Sequence, residues 1–159
     1  MVGKRPSIER AVLATLAGVA VGATVLVLEF VAPTFFDSYS GVLSRLQMLA
    51  GGWIIAFVVL SVGFVIVGLP VWVAAHHFQR RHWYDAVIVG GLLAGIGEFL
   101  FSLPAANSSY SAGGADLVLN GHYTAQGLSG ALQTAVMMAV AGAFTGLTIW
   151  RIAYRRVGL

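Results

Sequence analysis

The chain of 159 residues is 58% hydrophobic and only 9% charged, with a mean hydropathy of +0.87. A soluble domain carries about 25% charged residues, so this composition excludes a water-exposed surface and points to an integral membrane protein. The absence of cysteine excludes disulfides, thiolate nucleophiles, iron–sulfur ligation and cysteine-based zinc sites. The net charge of +3 sits at helix ends, where it records membrane orientation and not nucleic-acid binding.

Four apolar runs reach the roughly 20 residues that cross a hydrocarbon layer: 11–32, 51–75, 86–103 and 131–150. The first follows Lys4, Arg5 and Arg10 and so resembles a signal peptide at its start. Its apolar run exceeds the roughly 7–15 residues of a signal core and no A-x-A cleavage site follows, so it reads as a retained helix. The loop 33–50 contains "SYSGVLSRLQML" (38–49), whose apolar spacing at Val42, Leu43, Leu46 and Leu49 predicts a short interfacial helix. Pro70 falls inside the second span and should kink or loosen its inner third.

The short connection 76–85 gathers His76, His77 and His82 beside Arg80 and Arg81. A b-type haem needs histidines within facing spans; at a span end beside arginines they read instead as contacts for anionic lipid or a partner. The third span, "LLAGIGEFLFSLP" (92–104), places Glu98 in an oily run. An ionised carboxylate at a bilayer centre costs about 2.5–3.5 kcal/mol or more. The loop 104–130, rich in Ser, Gly and Ala, reads as irregular and mobile.

Eight of the nine Lys and Arg residues lie on one side of this arrangement, Arg45 alone on the other. The positive-inside rule then sets both termini in the cytoplasm. Trp72, Trp83, Tyr84, Trp150 and Tyr154 fall at inner ends, and Phe35, Phe36, Tyr39 and Trp53 at outer ends, the aromatic belt of anchored helices. One Lys against eight Arg has the flavour of a GC-rich bacterial genome, so the expected location is a bacterial inner membrane.

The two halves share punctuation in the same order. "AVLATLAG", "EFVAP", "SYSG", "LSRLQ" and "WVAAHHFQRR" in 11–81 answer to "AVIVGGLLAG", "EFLFSLP", "SYSAG", "LSGALQ" and "WRIAYRR" in 86–156. This predicts an all-α fold of two tandem helical hairpins, a parallel repeat of the kind found in some transporters. Shared membrane grammar, with prolines, aromatics and arginines recurring at interfaces, is the competing explanation. Under the repeat, Glu98 answers to Glu29. Counted at about 1.5 Å per residue, Glu29 lies about 27 Å along its span from Ala11 and Glu98 about 18 Å from Ala86, so Glu98 is expected to lie deeper. Gly-x-x-x-Gly spacing at Gly18/Gly22, Gly91/Gly95 and Gly142/Gly146 allows close helix approach, within the chain or between copies.

Glu98, Glu29, Gln133, Tyr39, Tyr110 and His122 all belong to the outer half. They form a candidate ion, proton or polar-contact site; a neutral Glu98 bonded to a neighbouring helix is the structural alternative. Arg80, Arg81, Arg155 and Arg156 are candidate inner-face contacts for lipid or a partner. No two ligands stand at the close helical spacing typical of metal sites, and no cofactor is implied. "GLSG" (127–130) has only His122 near it as a base, too little for an intramembrane serine protease, and "NSS" (107–109) is a glycosylation acceptor only in a secretory pathway. The expected function is that of a small non-enzymatic membrane component that packs with itself or with other membrane subunits. The alternative is a small oligomeric transporter or channel for a cation, proton or cationic solute centred on Glu98.

Overall fold

The structure, a computed structural model, describes residues 8–31, 41–77 and 82–154. Helix α1 spans Ile8–Val31, α2 Val42–Gly63, α3 Leu69–His77, α4 Trp83–Phe101 and α5 Ala125–Tyr154. A π-helical turn at Phe64–Gly68 joins α2 to α3. Strands β1 (Tyr110–Ala112), β2 (Ala115–Leu119) and β3 (His122–Tyr123) lie between α4 and α5. Four helical stretches are long and apolar enough to cross a membrane: Glu9–Phe30, Val42–Ala74, Trp83–Phe101 and Ala125–Tyr154.

Three expectations are corrected. The second apolar helix begins at Val42, not residue 51, so the stretch read as a separate interfacial helix is its first two turns. Nothing between Leu49 and Trp53 stops a helix, since Gly51 and Gly52 lower propensity by only about 1 kcal/mol each. The loop 104–130 is not irregular: it folds into an antiparallel three-stranded sheet, and α5 starts at Ala125. The described chain is therefore helical with a small sheet and not all-α.

The sheet is set by two glycine-dependent turns. Gly113 and Gly114 (φ +59° and +80°) turn β1 into β2, and Asn120 and Gly121 (φ +50° and +79°) turn β2 into β3. Left-handed backbone at both central residues is what a two-residue hairpin requires. Thr124 then fastens the sheet to α5. Its Oγ1 accepts from the Gly127 N–H at 3.1 Å, capping the helix, and its hydroxyl donates to the Asp116 carbonyl at 2.7 Å. Tyr123 donates its phenolic O–H to the Ser102 carbonyl at the end of α4.

Helix α5 lies between α1 and α4, and α2 packs against α1. The α4–α5 seam is nearly bare backbone: a methyl on Gly90 would sit 2.4 Å from the Gly142 carbonyl oxygen, and one on Gly146 2.2 Å from that of Ala86. Gly18 meets Ile149 of α5, and Gly22 meets both Thr145 of α5 and Leu60 of α2. The Gly18/Gly22, Gly91/Gly95 and Gly142/Gly146 pairs thus all sit in seams inside the chain, as small residues do where helix backbones approach. Trp53 Nε1 donates to Thr24 Oγ1 at 3.1 Å, tying α2 to α1.

Antiparallel packing of α1 on α5 puts the start of α1 and the end of α5 at one end, with Trp72 and Trp150 (the tryptophan end); the sheet marks the other. Pro70 sits directly after the π-helical turn, where the predicted loosening occurs: the turn widens to carry a residue that has no N–H. Phe64, in that turn, packs against the buried cluster of Ala14, Ile149 and Ala153. Neither α2 nor the turn buries a residue.

Candidate functional site

Helical register places the two acids. Glu98 follows Ala94 by four residues and Gly95 by three, so it stands on the α5-facing side of α4, one turn closer to the sheet. Glu29 follows Gly22 by seven residues and occupies the α5-facing stripe of α1. Both are half-buried. The expected difference in depth is not found. Ala11 shares a small cavity with Ile149 and Ala153, whereas Ala86 meets Gly146. Helix α4 thus starts further along α5 towards the sheet, by about 5–10 Å at 1.5 Å per residue. That offset brings Glu29 and Glu98 to nearly the same depth, on either flank of α5 around residues 134–137. Counting each span from its own start assumed a common origin that the seams do not share.

The carboxylates differ in surroundings. Glu29 Oε2 is buried and has no hydrogen-bond partner. Among the described residues no side chain bonds the Glu98 carboxylate; its backbone carbonyl accepts from Ser102 N–H at 2.9 Å. Asp85, in the first turn of α4, also holds a buried, unpartnered Oδ2. A negative charge there is favoured by the helix dipole.

The remaining predicted residues do not gather around the acids. Gln133 lies two residues from Ala135, which faces Gly95, so it is turned about 160° away from α4 and is exposed. Tyr110 pairs with Val118 and His122 with Leu119 in the sheet. Adjacent strand positions send side chains to opposite faces, so Tyr110 and His122 do not converge. Tyr39, Arg80, Arg81, Arg155 and Arg156 lie outside the described residues. No group of three or more His, Asp or Glu suited to a metal occurs among the described residues.

Sequence reading missed two features. Gly127 is pressed against the sheet, where a methyl would fall 1.9 Å from the Leu117 carbonyl oxygen; its signal was the Asn120-Gly121 hairpin dipeptide seven residues before it. The other is an open notch of about 250 Å³ on α2, lined by Ser61, Val62, Val65 and Ile66, which Pro70 foreshadows only through backbone bonding.

Compared with known protein families, curated proteins and solved structures, the chain matches none.

Proposed function

We propose that this chain is a small integral membrane protein that works by packing its helices against other membrane chains, a second copy or a larger complex. One observation carries the reading: Glu98 and Gln133 lie in apolar helices with no hydrogen-bond partner for either side chain among the described residues. Lipid tails satisfy neither group, and polar side chains within spans find partners in neighbouring helices. Helix α2 adds an apolar surface of which no residue is buried. On this reading both termini face the cytoplasm of a bacterial inner membrane, following the basic residues at the tryptophan end. The α1–α2 and α4–α5 pairs are then two tandem hairpins descended from one. The test is isolation in mild detergent with measurement of complex mass and co-purifying chains. An assembly larger than one chain is expected; a lone chain from native membranes would remove the proposal.

A second reading has its own support. Two carboxylates at one depth on either flank of α5, one with a buried unpartnered oxygen, suit a site that takes a proton or cation in an oligomeric transporter. Flux measured on reconstituted protein separates the two readings.

A further inference from the structure

Phe64, Leu69 and Trp72 line a small cavity of about 30 Å³, with Ala11 and Ala14 of α1 and Ala153 of α5 across from them. Eight residues separate Phe64 from Trp72. In an unbroken α-helix they would turn the chain by about 800° and set the two rings about 80° apart. Leu69, however, gives its N–H to the Phe64 carbonyl, five residues back, so the turn holds one residue more than an α-turn. That surplus takes about 100° off the count and brings Trp72 to within about 20° of Phe64. Leu60 and Trp53, which meet α1 at Gly22 and Thr24, fall on the same line. Pro70 favours the wide turn, because in a closed one its ring would press on the Ile66 carbonyl, four residues back. Gly68 suits it as well, since a methyl there would lie 2.6 Å from the Phe64 ring.

We propose that the π-helical turn is a register device: it stores one surplus residue so that Trp72 is seated as a plug between α1 and α5. Closing the turn would rotate α3 by about 100° and put Gly68 and Val71 where Leu69 and Trp72 now stand. Those smaller residues would leave the cavity open beside Ala14 and Ala153, which are 0% and 5% exposed with the plug in place. Helix α3 packs chiefly on the turn itself, so its phase is decided there and not by a long seam like that of α4 with α5. The device is internal to the chain and holds whichever function the chain serves.

Single-residue deletion tests the count. In the full chain carrying Pro70→Ala, removal of Val67 takes out the surplus, makes the helix regular and leaves Trp72 in its seat. The melting temperature in detergent should then hold or rise relative to Pro70→Ala alone. Removal of Ile55 from the regular part of α2 instead rotates one half of that helix against the other by about 100°, and should lower the melting temperature. Quenching of Trp72 by brominated lipid, read in vesicles with Trp53, Trp83 and Trp150 replaced by Phe, should be unchanged by removal of Val67. The plug itself is read from Trp72→Ala, which should lower the melting temperature more than Trp83→Ala, whose side chain is 53% exposed. Removal of Val67 that is as damaging as removal of Ile55, or that raises the quenching of Trp72, would overturn the register device. A loss for Trp72→Ala no greater than that for Trp83→Ala would overturn the plug.

Discussion

Gly90 and Gly142 face each other across the α4–α5 seam so closely that a methyl on either would lie 2.4 or 2.3 Å from the other's carbonyl oxygen. The obstruction is backbone, which cannot rotate aside, so Gly142→Ala must push the helices apart. Overpacking of this kind costs about 1–3 kcal/mol. Gly97, on the same helix, has open space around its missing methyl, and Gly97→Ala should be neutral or gain up to about 1 kcal/mol from propensity. Thermal unfolding in detergent compares the two. Equal melting temperatures for Gly142→Ala and Gly97→Ala would show that the seam is not as close as described.

The sheet is fastened to the helices at named points, and each makes a distinct claim. Tyr123→Phe removes the O–H that reaches the Ser102 carbonyl and should cost about 0.5–1.5 kcal/mol, the net worth of one hydrogen bond. Gly127→Ala drives a methyl into the Leu117 carbonyl and should detach β2 altogether. Hydrogen exchange over 110–123 is expected to quicken modestly in the first variant and to approach the free-peptide rate in the second, with α1 unchanged. Fast exchange of these amides in the unaltered protein would remove the sheet as a stable element.

The four long apolar helices were legible because about 20 consecutive apolar residues have few other uses, and the three glycine pairs because close helix approach requires small side chains at that spacing. The sheet escaped notice for a different reason. Ser, Gly and Ala at 104–130 averaged out as loop composition, while its ordering signal was the Asn120-Gly121 pair between Leu119 and His122, a short-range hairpin code. The depth of Glu29 relative to Glu98 was not legible in principle: it depends on how far α4 slides along α5, which glycine and alanine contacts in three dimensions decide. Gln133 was read as a neighbour of Glu98 from its place in the outer half, but two residues of helix rotation from Ala135 turn it to the opposite side.

The chain path makes a topological claim. Helix α4 starts at Trp83 and ends at Phe101, shortly before the sheet, so its start and the sheet lie at opposite ends of that helix. If the basic end is cytoplasmic as proposed, a membrane-impermeant maleimide applied to intact cells should label Ala112→Cys and reach Arg80→Cys only after permeabilisation. Labelling of Arg80→Cys alone would invert the orientation. Labelling of both from one face would break the crossing of α4.

Glu98 separates the two functional readings because its charge and its hydrogen-bonding capacity can be removed in turn. Glu98→Gln keeps shape and hydrogen bonds but removes the titratable proton, whereas Glu98→Leu removes both. In a packing subunit the hydrogen bonds of residue 98 are what matter, and Gln keeps them, so Glu98→Gln should leave the native complex mass nearly unchanged. Glu98→Leu should then weaken assembly by about 0.6–2 kcal/mol, the range for interhelical hydrogen bonds in membranes. In a proton- or cation-coupled transporter the change of charge is itself the function. Glu98→Gln should there abolish flux while folding and assembly persist, and Glu29→Gln, at the same depth across α5, should impair flux as well. Reconstituted proton or cation flux beside native mass for all three variants decides the matter. Flux that survives Glu98→Gln sinks the transporter reading, and flux lost with assembly intact in both Gln variants sinks the packing one.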